Sequence, residues 1–396
     1  MWQGRRVILG VTGGIATYKV VALARELAVQ GAAVDVILTR GAREFVGAVT
    51  FEAVTRRPVR SSIWERDGAL DHVTLAREAD LIIVAPATAN LLARAAAGAA
   101  DDLLTALLLA ASKPVLLAPA MNDDMFANAA TEANLALVAA RGWHVVGPAT
   151  GALAEGPSDR PGRMVEPREI IAHAERLLQR GGTLDGKRVV VTAGPTREAI
   201  DPVRVITNRS SGKMGYRLAE AAWRRGAVVT LISGPSAEVA PVGVDVVRVD
   251  RTAEMSAAVS AALPRSDVLI MAAAPADYRA GTVADSKLPR SGGLDLSLQP
   301  TDDILLSTRA ARPAGLTVVG FALETGDAVT KARQKLERKS LDLIVVNDAT
   351  DPHAGFEVDT NVVTILDRRG GEQQVSQRSK AAVADAILNA IEVYRG

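Results

Sequence analysis

The chain has 396 residues, too long for one ordinary domain at about 150 residues per domain. Apolar residues make up 48% and charged residues 23%, which excludes a disordered chain, and 46 Lys+Arg against 45 Asp+Glu (net charge +1) excludes the basic face of a dedicated nucleic-acid binder. Cysteine is absent, so no disulfide, thiolate nucleophile or Cys-ligated metal centre forms within the chain.

The N-terminal residues enter an apolar strand at once and lack the apolar core and cleavage site of a signal peptide. The longest charge-free stretches, 81–93 and 142–154, contain Pro and Gly and fall short of the about 20 residues that a spanning helix needs. The expectation is a cytoplasmic protein with no membrane segment.

Short Val/Ile/Leu runs alternate with segments of helical period, the pattern of a parallel sheet covered by helices. The first strand is expected over 7–9, a helix over 16–30 stopped by Gly31, and a strand over 34–39. Further strands are expected at 81–85, 115–118 and 144–147, with helices near 101–112 and 131–141. Their continuous apolar character predicts burial on both faces. An amphipathic helix over 170–180 precedes the glycine-rich segment 181–186, which reads as a linker. The rhythm then restarts with a strand over 187–192, a helix over 214–225 and a strand over 228–233. The fold class is therefore α/β, with two Rossmann-like modules, each a mostly parallel sheet flanked by helices.

Gly10-Val11-Thr12-Gly13-Gly14-Ile15-Ala16 lies between a strand and a helix, where backbone N–H groups approach a phosphate. Its spacing is not G-x-G-x-x-G, and Thr39-Arg40 ends the second strand where a nicotinamide site expects an acid. Ala85-Pro86-Ala87-Thr88-Ala89-Asn90 and Ala118-Pro119-Ala120-Met121-Asn122 both follow strands at their C-terminal ends. Small residues there admit a flat ring, although Asn in such places also caps helices. Of four histidines, His144, His173 and His353 fit strand, helix and loop roles. His72 stands near the ligand edge, and a histidine there suits base catalysis near neutral pH.

Taken together, these motifs resemble the flavin-dependent cysteine decarboxylases over roughly residues 5–180. Gly151-Ala152-Leu153-Ala154-Glu155-Gly156 and Pro161-Gly162-Arg163-Met164 are similar to that family's substrate-recognition clamp. The resemblance implies FMN held by Gly14, Ile15, Thr39, Thr88, Ala89 and Asn90, a substrate carboxylate gripped by Asn122, and His72 as the catalytic histidine. It also implies oxidation of the substrate thiol to a thioaldehyde, loss of carbon dioxide and return of the hydride. Many members carry a cysteine as proton donor in the clamp, where this chain has Glu155. A free glutamate is almost wholly ionised at pH 7, so an acid role for Glu155 expects a buried carboxyl.

The second module carries Thr192-Ala193-Gly194-Pro195-Thr196-Arg197-Glu198 after its first strand, then Asn208-Arg209-Ser210-Ser211-Gly212-Lys213-Met214-Gly215. The latter is not a Walker A loop, but its hydroxyls, N–H groups and Lys213 suit phosphate; a helix cap accounts equally for Ser210 and Ser211. Asp277 follows another strand in Ala274-Pro275-Ala276-Asp277-Tyr278-Arg279, with Lys287 ten residues on, in a segment that includes Ser291-Gly292-Gly293. Lys335 and Lys339 share one helix face.

These pieces resemble the phosphopantothenate–cysteine ligases over residues 185–396. The resemblance implies CTP with Mg2+ at Met271, Ala272, Ala273, Asp277, Lys287, Phe321, Lys335 and Lys339. It places phosphopantothenate at Arg204, Asn208 and Ala274, and gives Lys287 the stabilisation of charge on the transferring phosphate. An acyl-cytidylate that cysteine then attacks is implied. The domains are then 1–184, an FMN-dependent decarboxylase, and 185–396, a CTP-dependent ligase whose product the first consumes, both acting in coenzyme A biosynthesis as a large homo-oligomer. The alternatives are an active ligase fused to a flavin domain with lost or slow decarboxylation, and, less favoured, a nicotinamide oxidoreductase.

Overall fold

The computed structural model describes residues 1–64, 70–290, 294–324, 326–348 and 359–396; His353 and Ser291-Gly292-Gly293 lie outside them. The chain falls into two compact units, Met1–Leu178 and Gln179–Gly396. The segment 181–186 is turned rather than extended, with Leu184 fully buried and the Gly181 amide donating to Asp185 Oδ2 at 2.9 Å. Among the described residues no helix is long and apolar enough to cross a membrane.

In the first unit the chain runs β1 (Arg6–Val11), α1 (Thr17–Val29), β2 (Ala33–Leu38), α2 (Ala48–Thr55), α3 (Asp71–Glu78), β3 (Leu81–Ala87), α4 (Ala89–Ala97), α5 (Leu103–Leu109), β4 (Val115–Pro119), α6 (Asp123–Phe126), α7 (Ala129–Ala140) and β5 (His144–Val145). A short antiparallel pair, β6 (Ala149–Thr150) and β7 (Pro161–Arg163), and α8 (Pro167–Leu178) complete it. The sheet is parallel in the order β2-β1-β3-β4-β5, with Val7 opposite both Val34 and Leu81. Alternate residues serve the two faces. Val7, Leu9 and Val11 pack with Val20, Leu23 and Leu27 of α1 and Ile170 of α8, while Ile8 packs with Leu75, Leu91, Leu107 and Val138 on the other side. That two-sided burial explains why the strands read as unbroken apolar runs. Asp35 interrupts β2 yet is almost fully buried, and Arg6 and Arg57 neutralise it at 2.6 and 2.8 Å. A buried charge persists only with such partners.

The second unit runs β8 (Arg188–Ala193), β9 (Arg197–Ala199), β10 (Val205–Thr207), α9 (Lys213–Arg224), β11 (Val228–Ser233), β12 (Asp245–Arg248), α10 (Thr252–Ala262) and β13 (Val268–Met271). It continues with β14 (Tyr278–Ala280), β15 (Leu298–Pro300), α11 (Ile304–Ser307), β16 (Thr317–Glu324), α12 (Ala328–Arg338), β17 (Leu343–Asp348), β18 (Thr360–Asp367), β19 (Glu372–Ser379) and α13 (Lys380–Arg395). The sheet order is β12-β11-β8-β13-β16-β17-β18-β19, parallel up to β17 and antiparallel beyond. The helices α10, α11 and α12 bury Met255, Val259, Ile304 and Leu336 on one face. On the other, α9 packs on β8 and β11 and against α13. A side chain at Gly215 would place its Cβ 2.5 Å from the Ala193 Cβ, so α9 lies this close to β8 only because that position is glycine.

The first order is 2-1-3-4-5. The first six strands of the second sheet follow 3-2-1-4-5-6. Each sheet therefore has a switch point, β1/β3 in one and β8/β13 in the other, where the crossovers diverge and leave a crevice at the strand C-terminal ends.

Candidate functional site

A cavity of about 770 Å³ opens at the first switch point. Its floor is the loop between β1 and α1. Thr17 Oγ1 donates to the carbonyls of Thr12 (3.0 Å) and Gly14 (2.7 Å), which curls the loop back on the helix start. No side chain caps α1 and no acid stands in its first turn, so its positive end is left to an anion. A Cβ on Gly13 would lie 2.7 Å from the carbonyl carbon of Gly41, so this loop and the one after β2 touch because Gly13 has no side chain. Thr39 bridges them, donating to the Val11 carbonyl at 3.2 Å. Thr12 Oγ1 donates to the Pro86 carbonyl at 2.6 Å and Thr88 caps α4, which fixes the end of β3 beside the loop.

Gly14, Ile15, Thr39, Thr88, Ala89 and Asn90 all line this cavity, as do Asn122 and Glu155. Asn122 combines the two readings its position allows. Its Oδ1 accepts from the amides of Asp124 (2.9 Å) and Met125 (3.3 Å), capping α6, and that cap turns Nδ2 outward to 3.5 Å from Glu155 Oε1. Glu155 sits at the tip of a turn closed by the Leu153 amide on the Gly156 carbonyl at 2.8 Å. The burial expected for an acid role is not what this chain provides: the tip is a two-residue turn at the cavity edge, and Glu155 is exposed. The turn is held to α6 by Ser158 on Asp123 and Arg160 on Asp124, both at 2.7 Å, and the Met121 amide donates to the Gly162 carbonyl at 3.0 Å. Lys19, which no local motif marks, and Arg163 of the clamp also line the cavity and grip Glu166 at 2.8 and 2.6 Å. The Lys19 ammonium beside Glu166 holds its carboxyl below the usual range.

His72 is placed elsewhere. It lies on α3, which packs against α5 and β1, and it is not among the residues lining the cavity. Its Nδ1 is buried with no hydrogen-bond partner among the described residues.

The second cavity, about 350 Å³, opens at the β8/β13 switch point. Met271, Ala272, Ala273, Ala274, Asp277, Phe321, Lys339 and Asn208 line it. The segment after β13 is pinned to the end of β8 by the Ala273 amide on Thr192 Oγ1 (3.1 Å), the Ala274 amide on the Gly194 carbonyl (2.9 Å) and the Ala276 amide on Thr196 Oγ1 (2.8 Å). Asn208 Nδ2 reaches the carbonyls of Ala274 and Pro275 at 3.1 and 2.9 Å. The α9 N-cap is Gly212 in the left-handed conformation with no side-chain cap, so helix capping does not account for Ser210 and Ser211, which line the cavity with Lys213.

Lys287, Lys335 and Arg204 do not line it. Lys335 meets Glu324 at the end of β16, whereas Lys339, one turn on, holds Asp303 at 2.8 Å at the cavity edge. Arg204 donates to the Leu288 carbonyl at 3.2 Å and to Asp201 at 3.3 Å. Asp201 is buried and accepts from the amides of Val203 (2.8 Å), Arg204 (2.7 Å) and Leu288 (3.2 Å). Burial pushes its carboxyl up, but those amides and the Arg204 guanidinium outweigh this and hold it below the usual range. The Ala284 amide donates to the Ile200 carbonyl at 3.0 Å and the Leu288 amide to Asp201, and Lys287, between these two ties, is exposed. Among the described residues no three His, Asp or Glu side chains gather as a metal site.

Comparison with known proteins gives two family matches: the Flavoprotein family over residues 1–179, and the DNA/pantothenate metabolism flavoprotein C-terminal domain over residues 184–394. The coenzyme A biosynthesis bifunctional protein CoaBC of Vibrio vulnificus (strain YJ016) is 44% identical over 398 residues, covering 99% of this chain and 98% of its own. Its counterpart in Mycobacterium bovis (strain ATCC BAA-935 / AF2122/97) is 47% identical over 406 residues, with 98% and 97% covered. The crystal structure of the C-terminal domain of a protein of the same name aligns with 54% of this chain and 97% of its own, at 38% identity and a TM-score of 0.47.

Proposed function

The chain belongs to the family of bifunctional coenzyme A biosynthesis proteins, and from that premise we propose that residues 185–396 join phosphopantothenate to cysteine with CTP and that residues 1–184 decarboxylate the product with FMN. The observation that carries this reading is the pair of cavities, one at each switch point. One is wide and walled by small residues at an uncapped helix start; the other is narrower and edged by lysines.

In the ligase unit, a carboxylate oxygen of phosphopantothenate attacks the α-phosphorus of CTP and pyrophosphate leaves. The cysteine amine then attacks the acyl carbon, CMP leaves and the amine loses a proton. Lys287, on its anchored arm, meets the negative charge that develops during phosphate transfer, a role for a mobile ammonium. Lys339 and Asp277 border the nucleotide, and magnesium enters with its phosphates as part of the substrate.

In the decarboxylase unit the residues present fit FMN. The bare start of α1 suits its phosphate, the gap beside Gly14 and Ala89 admits a flat ring, and Thr39, Thr88 and Asn90 supply polar edges. Bound there, FMN would supply a reversible two-electron acceptor for the carbon bearing the thiol. Asn122 Nδ2, aimed by its cap, holds the substrate carboxylate and so orients the bond that breaks. His72, which does not line the cavity of its own chain, serves as the base from a second copy in a homo-oligomer. Glu155, 3.5 Å from Asn122, delivers the final proton once substrate and a neighbouring copy cover it. A yellow preparation that converts phosphopantothenate, cysteine, CTP and magnesium to phosphopantetheine, read by mass, tests the reading. A product that stops at the cysteine adduct leaves only the ligase.

A further inference from the structure

Two ammonium groups share one wall of the ligase cavity. Lys213 opens α9 and Lys380 opens α13, and both line the cavity with Ser210, Ser211 and Asn361. Lys380 is only 5% exposed, rare for a lysine and costly unless an anion is near. One residue ties the pair together. Asp359 Oδ1 holds the Lys213 ammonium at 2.6 Å, and the Asp359 carbonyl accepts the Lys380 amide at 2.9 Å. Burial and the neighbouring Lys213 push the Lys380 ammonium below the ordinary lysine range, with Asp359 and Glu238 opposing. Lys213 is held above its ordinary value by Asp359. Asp359 itself is exposed, so the carboxylate that balances this wall sits at its outer edge while Lys380 sits within it.

The geometry points to Lys380 as a phosphate-binding residue of the ligase cavity, acting with Lys213 on a phosphate group of one of the ligase substrates. This rests on the ligase reading given above. A phosphate brings up to two negative charges and three acceptor oxygens, enough to engage both ammonium groups at once. Both phosphorylated substrates, CTP and phosphopantothenate, have that chemistry; cysteine does not.

The test compares the wild-type chain with Lys380→Met and Lys380→Arg, varying CTP, phosphopantothenate and cysteine in turn. Lys380→Met raises KM for one phosphorylated substrate about tenfold or more, the loss expected for a hydrogen bond to a charged group, and leaves KM for cysteine alone. Lys380→Arg restores most of the loss. The substrate affected identifies the phosphate. Unchanged KM for both phosphorylated substrates, or a fall in kcat alone, overturns the assignment. Thermal stabilisation by CTP and by phosphopantothenate, read without turnover, reports the same loss if the variant is slow. Failure of the wild-type chain to form the cysteine adduct refutes the ligase reading instead.

Discussion

The two units solve the same problem, a ligand at a switch point, with different materials. In the first, the wall is backbone: short loops at the ends of β1, β2 and β3, kept close by Gly13 and held by Thr12, Thr17 and Thr39. In the second, the ends of β8 and β13 are stitched together by backbone and threonine hydrogen bonds, and long side chains from α9, α12 and α13 reach over them. A flat cofactor calls for shape, and a polyphosphate calls for charge. Damage therefore has different signatures. A substitution in the first unit changes fit or orientation, and one in the second changes charge at a fixed place.

The largest expected effect lies in the second unit. Lys287→Gln lowers acyl-cytidylate formation at least about 100-fold, as loss of a group facing developing charge does. Its side chain is exposed, so the melting temperature is unchanged and decarboxylation of supplied phosphopantothenoylcysteine continues at the normal rate. Normal pyrophosphate release from the variant contradicts the role. In the first unit, His72→Asn lowers decarboxylation about 100-fold or more while ligation proceeds. Mixing this variant with an Asn122→Ala chain restores activity if the two residues act from different copies, and full activity in the unmixed variant removes His72 from the mechanism.

A smaller effect separates the two jobs of Asn122. Asn122→Asp keeps the oxygen that caps α6 but loses the donor, so KM for phosphopantothenoylcysteine rises about tenfold at constant stability. Asn122→Ala loses both, with a stability cost of about 1 kcal/mol. Equal KM for Asn122→Asp and wild type rules out the carboxylate contact.

The smallest effect is on acid stability, and it falls in different windows. In the first unit burial, Arg176 and His144 push the His173 imidazole down. Its stabilisation is complete above the unfolded value of about 6.5 and is lost as pH falls from there through the lowered folded value. Asp201 in the second unit is also lowered, so its contribution is complete above about 3.9 and is lost only below that. Hydrogen exchange read by mass spectrometry reports the two units separately. His173→Gln flattens the upper window in the first unit alone, and an unchanged slope there contradicts the assignment.

Sheet class and most strand positions were legible because a strand covered on both faces must be apolar throughout, as Val7 to Val11 and Leu81 to Ala87 are. The cavity residues Gly14, Thr88, Asn90 and Asn122 were legible because each sits in a short segment directly after a strand. What escaped was set by long-range geometry. The helix over Ala48–Thr55 is short and follows no periodic signal, and the charged groups Lys19 and Lys380 acquire their sites only through folding. The places of His72, Arg204 and Lys335 depend on how α3, the Asp201 turn and α12 pack, which local spacing does not encode. The exposure of Glu155 likewise follows from its place at the tip of the Leu153–Gly156 turn.

One chain runs both reactions in series, and cysteine labelled in its carboxyl carbon tests this directly. With phosphopantothenate, CTP and magnesium present, the label leaves as carbon dioxide; without CTP it stays in cysteine. Label that accumulates in the phosphopantothenoylcysteine adduct, or that escapes without CTP, contradicts the account.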